Sequence, residues 1–278
     1  MTVTVFTIIV LVGSYLAGLL GSLTGLGGGV VIIPLLTLVL NVNIHYAIGA
    51  SLISVIATSS GSAAAYVKEG ITNIRLGMFL EIATTIGAML GAVLALYMQA
   101  SVIAVIFGLI LIFSAIMSLR KKKPHLAEHK SIWAQKLKLN GSYPQNNAIV
   151  NYNVSNVGGG FFMMLFAGVI SGLLGIGSGA LKVVAMDGIM RIPFKVSTTT
   201  SNFMIGVTAA ASAVVYLQRG YIDPGLSMPV VIGVLLGAIT GSKILVQASS
   251  SQWVRWVFAV IVTFLAVQMI YNGLNHKI

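Results

Sequence analysis

Lys182 and Glu81 are charged residues set inside apolar runs, in a sequence that is 57% hydrophobic and 8% charged. A charge within a membrane segment costs roughly 2.5–3.5 kcal/mol or more, so each is a functional candidate. An ammonium can neutralise a bound anion, and a carboxylate can carry a proton. Each also has a structural reading. Lys182 can snorkel to the interface or pair with Asp187, and Glu81 can form an interfacial pair with Arg75.

Hydroxyl groups surround these charges at helical spacing. Ser51, Thr58, Ser62 and Tyr66 share one helix face, and Ser201, Thr208, Ser212 and Tyr216 repeat it 150 positions later. Such hydroxyls line a cavity or bond back to their own helix. Ahead of the second stripe, Ser197-Thr198-Thr199-Thr200-Ser201-Asn202 offers several donors to an oxyanion, where helix capping needs only one or two. We read Ser51, Thr58, Lys182, Thr199, Thr200, Ser201, Asn202 and Thr208 as anion contacts and Glu81 as the proton-coupling candidate. Arg191, Lys195 and Arg219 flank helix ends, where they funnel anions or act as topology signals.

Two glycine-rich breaks must position these groups. The first runs from Ala17 to Gly29 and the second from Ala167 to Gly179, and each interrupts an apolar run. A helix broken inside a membrane leaves free N–H groups at the start of the following half-helix, which attract anions through the helix dipole. Gly27, Gly28, Gly29, Gly177, Ser178 and Gly179 are therefore further substrate-binding candidates.

The chain is an all-α integral membrane protein on composition and on runs of about twenty apolar residues. A transmembrane barrel would alternate over ten-residue segments. The absence of cysteine excludes disulfides and thiolate sites. No metal-ligand cluster, paired carboxylates or Walker loop is present, so we expect no cofactor and no nucleotide-driven transport. Gly175-Ile176-Gly177-Ser178-Gly179 is superficially like an intramembrane serine protease motif, but its spacing is off by one and no histidine follows within the later spans to act as base. An enzyme is not expected.

The net charge of +11 does not point to nucleic acid, because seven of the sixteen basic residues lie between Arg120 and Lys138. A basic loop between apolar segments marks a cytoplasmic face that meets anionic lipid. The first apolar run has no basic segment ahead of it and has an internal partner, so it does not read as a cleaved signal peptide.

Three regions follow: an N-terminal transmembrane repeat at 1–119, a basic cytoplasmic loop at 120–156 with a short surface helix around Ile132 to Leu139, and a C-terminal transmembrane repeat at 157–278. The halves match at a constant offset of 150 from Ala17 to Gly91. This register indicates duplication. Together they hold about eight long transmembrane helices and two short half-helices after the breaks. If each half crosses four times, the repeats are parallel. If the half-helix also crosses, they are inverted, and we lean to inversion. The Gly87/Gly91 and Gly237/Gly241 pairs read as close helix packing, and Trp253, Trp256 and Tyr271 as interfacial anchors. Lys243 reads as snorkelling.

The paired breaks, the Ala47-Ile48-Gly49-Ala50-Ser51 segment, its counterpart Ser197-Thr198-Thr199-Thr200-Ser201, and the endings Tyr66-xxx-Gly70-xxx-Asn73 and Tyr216-xxx-Gly220-xxx-Asp223 resemble the sulfite exporter TauE/SafE family, also called the toluene sulfonate uptake permease family. The chain departs from that family at Ala50, often threonine there, and at Ser178, which interrupts the second glycine run. The resemblance implies a prokaryotic inner-membrane permease for small sulfur-containing or organic anions such as sulfite, thiosulfate, sulfoacetate or sulfonates. On this reading the chain is a secondary transporter with one small anionic substrate held between the repeats and possible proton coupling. The alternatives are a passive anion channel and a non-transporting scaffold.

Overall fold

The computed structural model describes residues 2–24, 28–68, 70–119, 131–145, 148–247, 251–276 and 278. Among the described residues eight helices of 18 to 25 residues form the bundle: α1 (Val3–Thr24), α3 (Ile44–Lys68), α4 (Ile74–Tyr97), α5 (Ala100–Leu119), α7 (Val157–Leu174), α9 (Phe194–Gln218), α10 (Pro224–Gln247) and α11 (Ser251–Leu274). Among the described residues six stretches are long and apolar enough to cross a membrane, within α1, α4, α5, α7, α9 and α10. Shorter apolar stretches lie at Ile44–Ser60 in α3 and Ala259–Leu274 in α11. The protein is a multi-pass helical membrane protein.

Two short helices complete the bundle. α2 (Gly29–Pro34) and α8 (Gly179–Val183) each widen into a π-helical turn, Leu35–Val39 and Val184–Ile189. Proline at position 34 lacks the N–H a regular helix needs. The same widening follows α8 with no proline present, so proline is not required for it.

Helix directions follow from the contacts. Leu11 and Tyr15 of α1 meet Gly233 and Gly237 of α10, a constant separation, so these helices run parallel. Leu165 and Val169 of α7 meet Gly87 and Gly91 of α4 in the same way. His45 at the start of α3 stacks on Tyr221 beyond the end of α9, ring centroids 5.0 Å apart, while Ser59 meets Gly206 further along. Thus α3 and α9 are antiparallel, and the two halves of the bundle run in opposite directions. The contacts of Tyr15 with Gly237 and of Leu165 with Gly87 are the same contact shifted by 150. Glycine is required there because a Cβ would overlap the Tyr15 and Leu165 carbonyl oxygens.

The region between the halves holds more than a loop with a surface helix. After α6 (Ile132–Lys136), shorter than the expected 132–139, strands β1 (Gly141–Gln145) and β2 (Ala148–Tyr152) pair antiparallel, Gly141 opposite Tyr152. Residues 120–130, with most of the basic run, lie outside the described residues. The connector is seated by Asn73, whose amide donates to the Leu139 carbonyl (2.9 Å) and the Tyr152 hydroxyl (2.8 Å) while its own oxygen caps α4 at Leu76 N–H (3.0 Å). Leu139, Tyr152 and Val154 join Leu76, Met186 and Met190 in a buried cluster. The sequence reading missed this because Asn73 and Tyr152 are distant in the chain and the strands are too short for a clear alternation.

Burial pushes the Tyr152 phenol up to about 12, against a smaller opposing effect of its bond from Asn73. A pKa raised on folding favours the neutral phenol, so its contribution is whole below the ordinary tyrosine value of about 10 and is lost as pH rises through about 12. Phenolate absorbance should therefore show one tyrosine titrating near 12 in the native protein that disappears in Tyr152→Phe. If the wild-type minus variant difference titrates near 10, the connector is not seated as described.

Candidate functional site

Three elements converge in the bundle interior. α4 brings Glu81, α8 brings Lys182 and α9 brings Thr208. Lys182 and Thr208 are fully buried, and Glu81 is 8% exposed. The Lys182 ammonium donates to the Thr208 hydroxyl, and that hydroxyl donates to Glu81 Oε1 at 2.6 Å. Thr85, one turn along α4, also donates to Oε1 at 3.3 Å, while Oε2 is buried with no hydrogen-bond partner.

The depth of this cluster follows from helix geometry. Asn73 N–H donates to Thr200 at 3.1 Å, and Glu81 and Thr208 each lie eight residues deeper. At 1.5 Å per residue that is about 12 Å below the seat of the connector. Removing one member of such a buried pair is strongly unfavourable, because the other charge is left uncompensated.

The second break abuts this cluster. α7 ends at Gly175 (φ +67°), followed by Gly177 (φ +72°) and Ser178 (φ +44°). Serine in this left-handed region is strained, and its hydroxyl is buried without a partner. Ser178 lies one turn before Lys182, on the same face of the half-helix. Ser51 of α3 donates to the Gly175 carbonyl at 2.8 Å, and a Cβ on Gly29 would meet both Ser51 and the Gly175 carbonyl. The start of α2 therefore touches the end of α7, and the two breaks meet between the halves. Tyr216, fully buried, donates toward the carbonyls of Gly172 (3.4 Å) and Leu173 (3.5 Å) at the end of α7.

The structure gathers Lys182, Thr208 and Glu81 around one point, with Ser178, Gly29, Gly177, Gly179, Ser51 and Ser201 at the adjoining breaks. Ser201 donates to the Gly179 carbonyl at 3.3 Å. Gly28 is the residue preceding α2 and packs toward Val234 of α10. Thr58 bonds back to the Ser54 and Val55 carbonyls, and Thr199 to those of Lys195 and Val196. Thr200 accepts from Asn73, near the connector. Asn202 is half-buried on α9. Gly27 lies outside the described residues, as do the side chains of Ser62, Tyr66, Lys243 and Trp253.

Two structural readings of the charges do not hold. Lys182 does not snorkel, since it is fully buried on Thr208. Arg75 turns away from Glu81 and donates to the Lys138 carbonyl at 3.5 Å. The sequence reading also missed Thr85, whose position four residues after Glu81 is the available signal. Among the described residues no three His, Asp or Glu side chains group as a metal site requires.

The profile of the sulfite exporter TauE/SafE family matches residues 10–269. The chain is 30% identical over 279 residues to probable membrane transporter protein YunE of Bacillus subtilis (strain 168), covering 97% of this chain and 98% of that protein. It is 26% identical over 229 residues to probable membrane transporter protein YdhB of the same strain, covering 82% and 86%. It is 25% identical over 277 residues to a probable membrane transporter protein of Xylella fastidiosa (strain 9a5c), covering 97% of each. No solved structure matches the chain.

Proposed function

Because the chain belongs to the sulfite exporter TauE/SafE family, a family of membrane transporters, we propose that it is a secondary transporter of small sulfur-containing or organic anions such as sulfite, thiosulfate, sulfoacetate or sulfonates. The observation that carries this reading is the fully buried Lys182 ammonium, placed one turn beyond a strained glycine break and bonded to Thr208. A buried cation needs an anionic partner, and an anion entering the bundle loses its water shell. Lys182, Thr208, Ser178 and the N–H groups at the start of the half-helix replace that shell.

The oppositely directed halves, taken as duplicated repeats, enclose the site where their breaks meet. Movement of one half against the other exposes it to each side in turn. The basic run between the halves supports a connector facing the cytoplasm and a prokaryotic inner membrane as its setting. A passive channel is the second reading, since the same helices could form a pore.

The test is anion movement in proteoliposomes loaded with sulfite, thiosulfate, sulfoacetate or methanesulfonate. Saturable counterflow of one of them is expected, and unsaturable flux without counterflow would indicate a channel. Thr208→Val is expected to raise the half-saturating concentration roughly tenfold to hundredfold, the cost of a lost hydrogen bond to a charged group. Unchanged saturation in that variant would move the site away from Thr208.

A further inference from the structure

We infer that the site takes up one monoanion together with one proton, because the arriving anion displaces Glu81 as the counter-charge of Lys182. This deepens the transporter reading above and rests on it. In the structure Lys182 and Glu81 are joined through a single hydroxyl, and taken as an ammonium and a carboxylate they form a pair of zero net charge. An anion placed on Lys182 leaves the site with one surplus negative charge in a water-excluded interior. A proton on Glu81 restores neutrality. The loaded site then holds an ammonium, a monoanion and a carboxylic acid, and the unloaded site an ammonium and a carboxylate, both of zero net charge.

The hydroxyl in the middle is built for this exchange. Thr208 has one proton and two acceptors within reach, Glu81 Oε1 at 2.6 Å and its own helix's Met204 carbonyl at 2.9 Å. While Glu81 is ionised, the hydroxyl donates to it. Once Glu81 is protonated, the hydroxyl turns to Met204. The proton has a place to go, since Oε2 is buried and without a partner. It comes from water on the side where the anion binds and leaves to water with the anion on the other side.

Among the described residues, Lys182 is the cation joined to Glu81, through the Thr208 hydroxyl. α7 carries no titratable residue. On α9, Lys195 and Tyr216 stand about 20 Å and about 12 Å along the helix from Thr208. Asp187 is five residues beyond Lys182 in the π-helical turn, Arg75 on α4 bonds Lys138, and Tyr152 of the connector is held by Asn73.

The other half holds no second copy of the site. The positions 150 away from Lys182, Thr208 and Glu81 are Ile32, Thr58 and Val231. Ile32 is fully buried. One charged pair serves one anion, so the coupling is one to one.

The experiment uses the full chain in proteoliposomes containing a pH-sensitive dye, with methanesulfonate as a monoanion and thiosulfate and sulfoacetate as dianions. Methanesulfonate is expected to move with about one proton per anion, without response to membrane potential. A pH gradient of one unit should accumulate it to about tenfold. Glu81→Gln is expected to bring the proton count per anion to zero. If that variant does not fold, the wild-type proton count alone decides. Methanesulfonate moving without a proton, or either dianion moving as fast as methanesulfonate, overturns the inference while the transporter reading stands. If none of the three moves through vesicles shown to hold folded protein, the transporter reading falls and takes this inference with it.

Discussion

Lys182→Met is expected to abolish saturable anion counterflow and to destabilise the folded protein by about 3–5 kcal/mol, the cost of leaving a buried charge unpaired. The stranded charge is Glu81, 8% exposed in the interior. Combining Lys182→Met with Glu81→Gln removes both charges, and replacement of a buried ion pair by uncharged groups is often close to neutral. The double variant should therefore recover most of the thermal stability in detergent and none of the counterflow. This pattern separates binding from folding. A double variant that is stable and still transports would show that Lys182 serves the fold alone. A single variant as stable as wild type would show that the two charges do not depend on each other.

The second large effect lies at the close approaches of the helices. Gly91→Val and Gly172→Val are each expected to destabilise by about 3 kcal/mol or more and to reduce the yield of monodisperse protein. A Cβ at Gly91 would overlap the Val169 carbonyl, and one at Gly172 the Ala88 carbonyl. Backbone cannot yield as a side chain can, so α4 and α7 must separate. Gly237→Val and Gly18→Val, the counterparts of Gly87 and Gly168 at the offset of 150, face the Tyr15 and Val234 carbonyls between α10 and α1. They should act as strongly. Leu90→Val, on the exposed face of α4, is the control and should stay within about 0.5 kcal/mol. Normal thermal stability of Gly91→Val would mean that α4 and α7 do not approach as described.

The second test bears on how the fold is encoded. Glycines at helical spacing announce close packing, and the 150-residue offset announces that whatever one half does the other repeats. Neither says which helix is the partner. The first long helix of each half packs on the third long helix of the opposite half, a choice made by the shape of the assembled bundle.

The site divides in the same way. Lys182, Glu81 and Thr208 are legible singly, because a charge or a hydroxyl stripe in an apolar chain carries a large desolvation cost. Their joining is not legible, since Glu81 and Thr208 are 127 positions apart. The pairing of Glu81 with Arg75, reasonable at six positions' distance in the chain, fails because Arg75 lies at the start of α4 and turns to the connector. The six-residue run from Ser197 to Asn202 looked like a set of anion donors, but Thr198 and Thr199 satisfy carbonyls one turn back in their own helix.

By itself the sequence determined what each residue requires of its surroundings: apolar runs that must leave water, glycines that admit close or left-handed backbone, and two charges that must find partners. These are short-range properties, read from residue type and period. The tertiary structure alone decided the opposite directions of the halves, the meeting of the two breaks, the seating of the connector on Asn73, and the closing of Lys182, Thr208 and Glu81 into one cluster. Such contacts join positions far apart in the chain, and their energies arise only when packing excludes water from all the partners together.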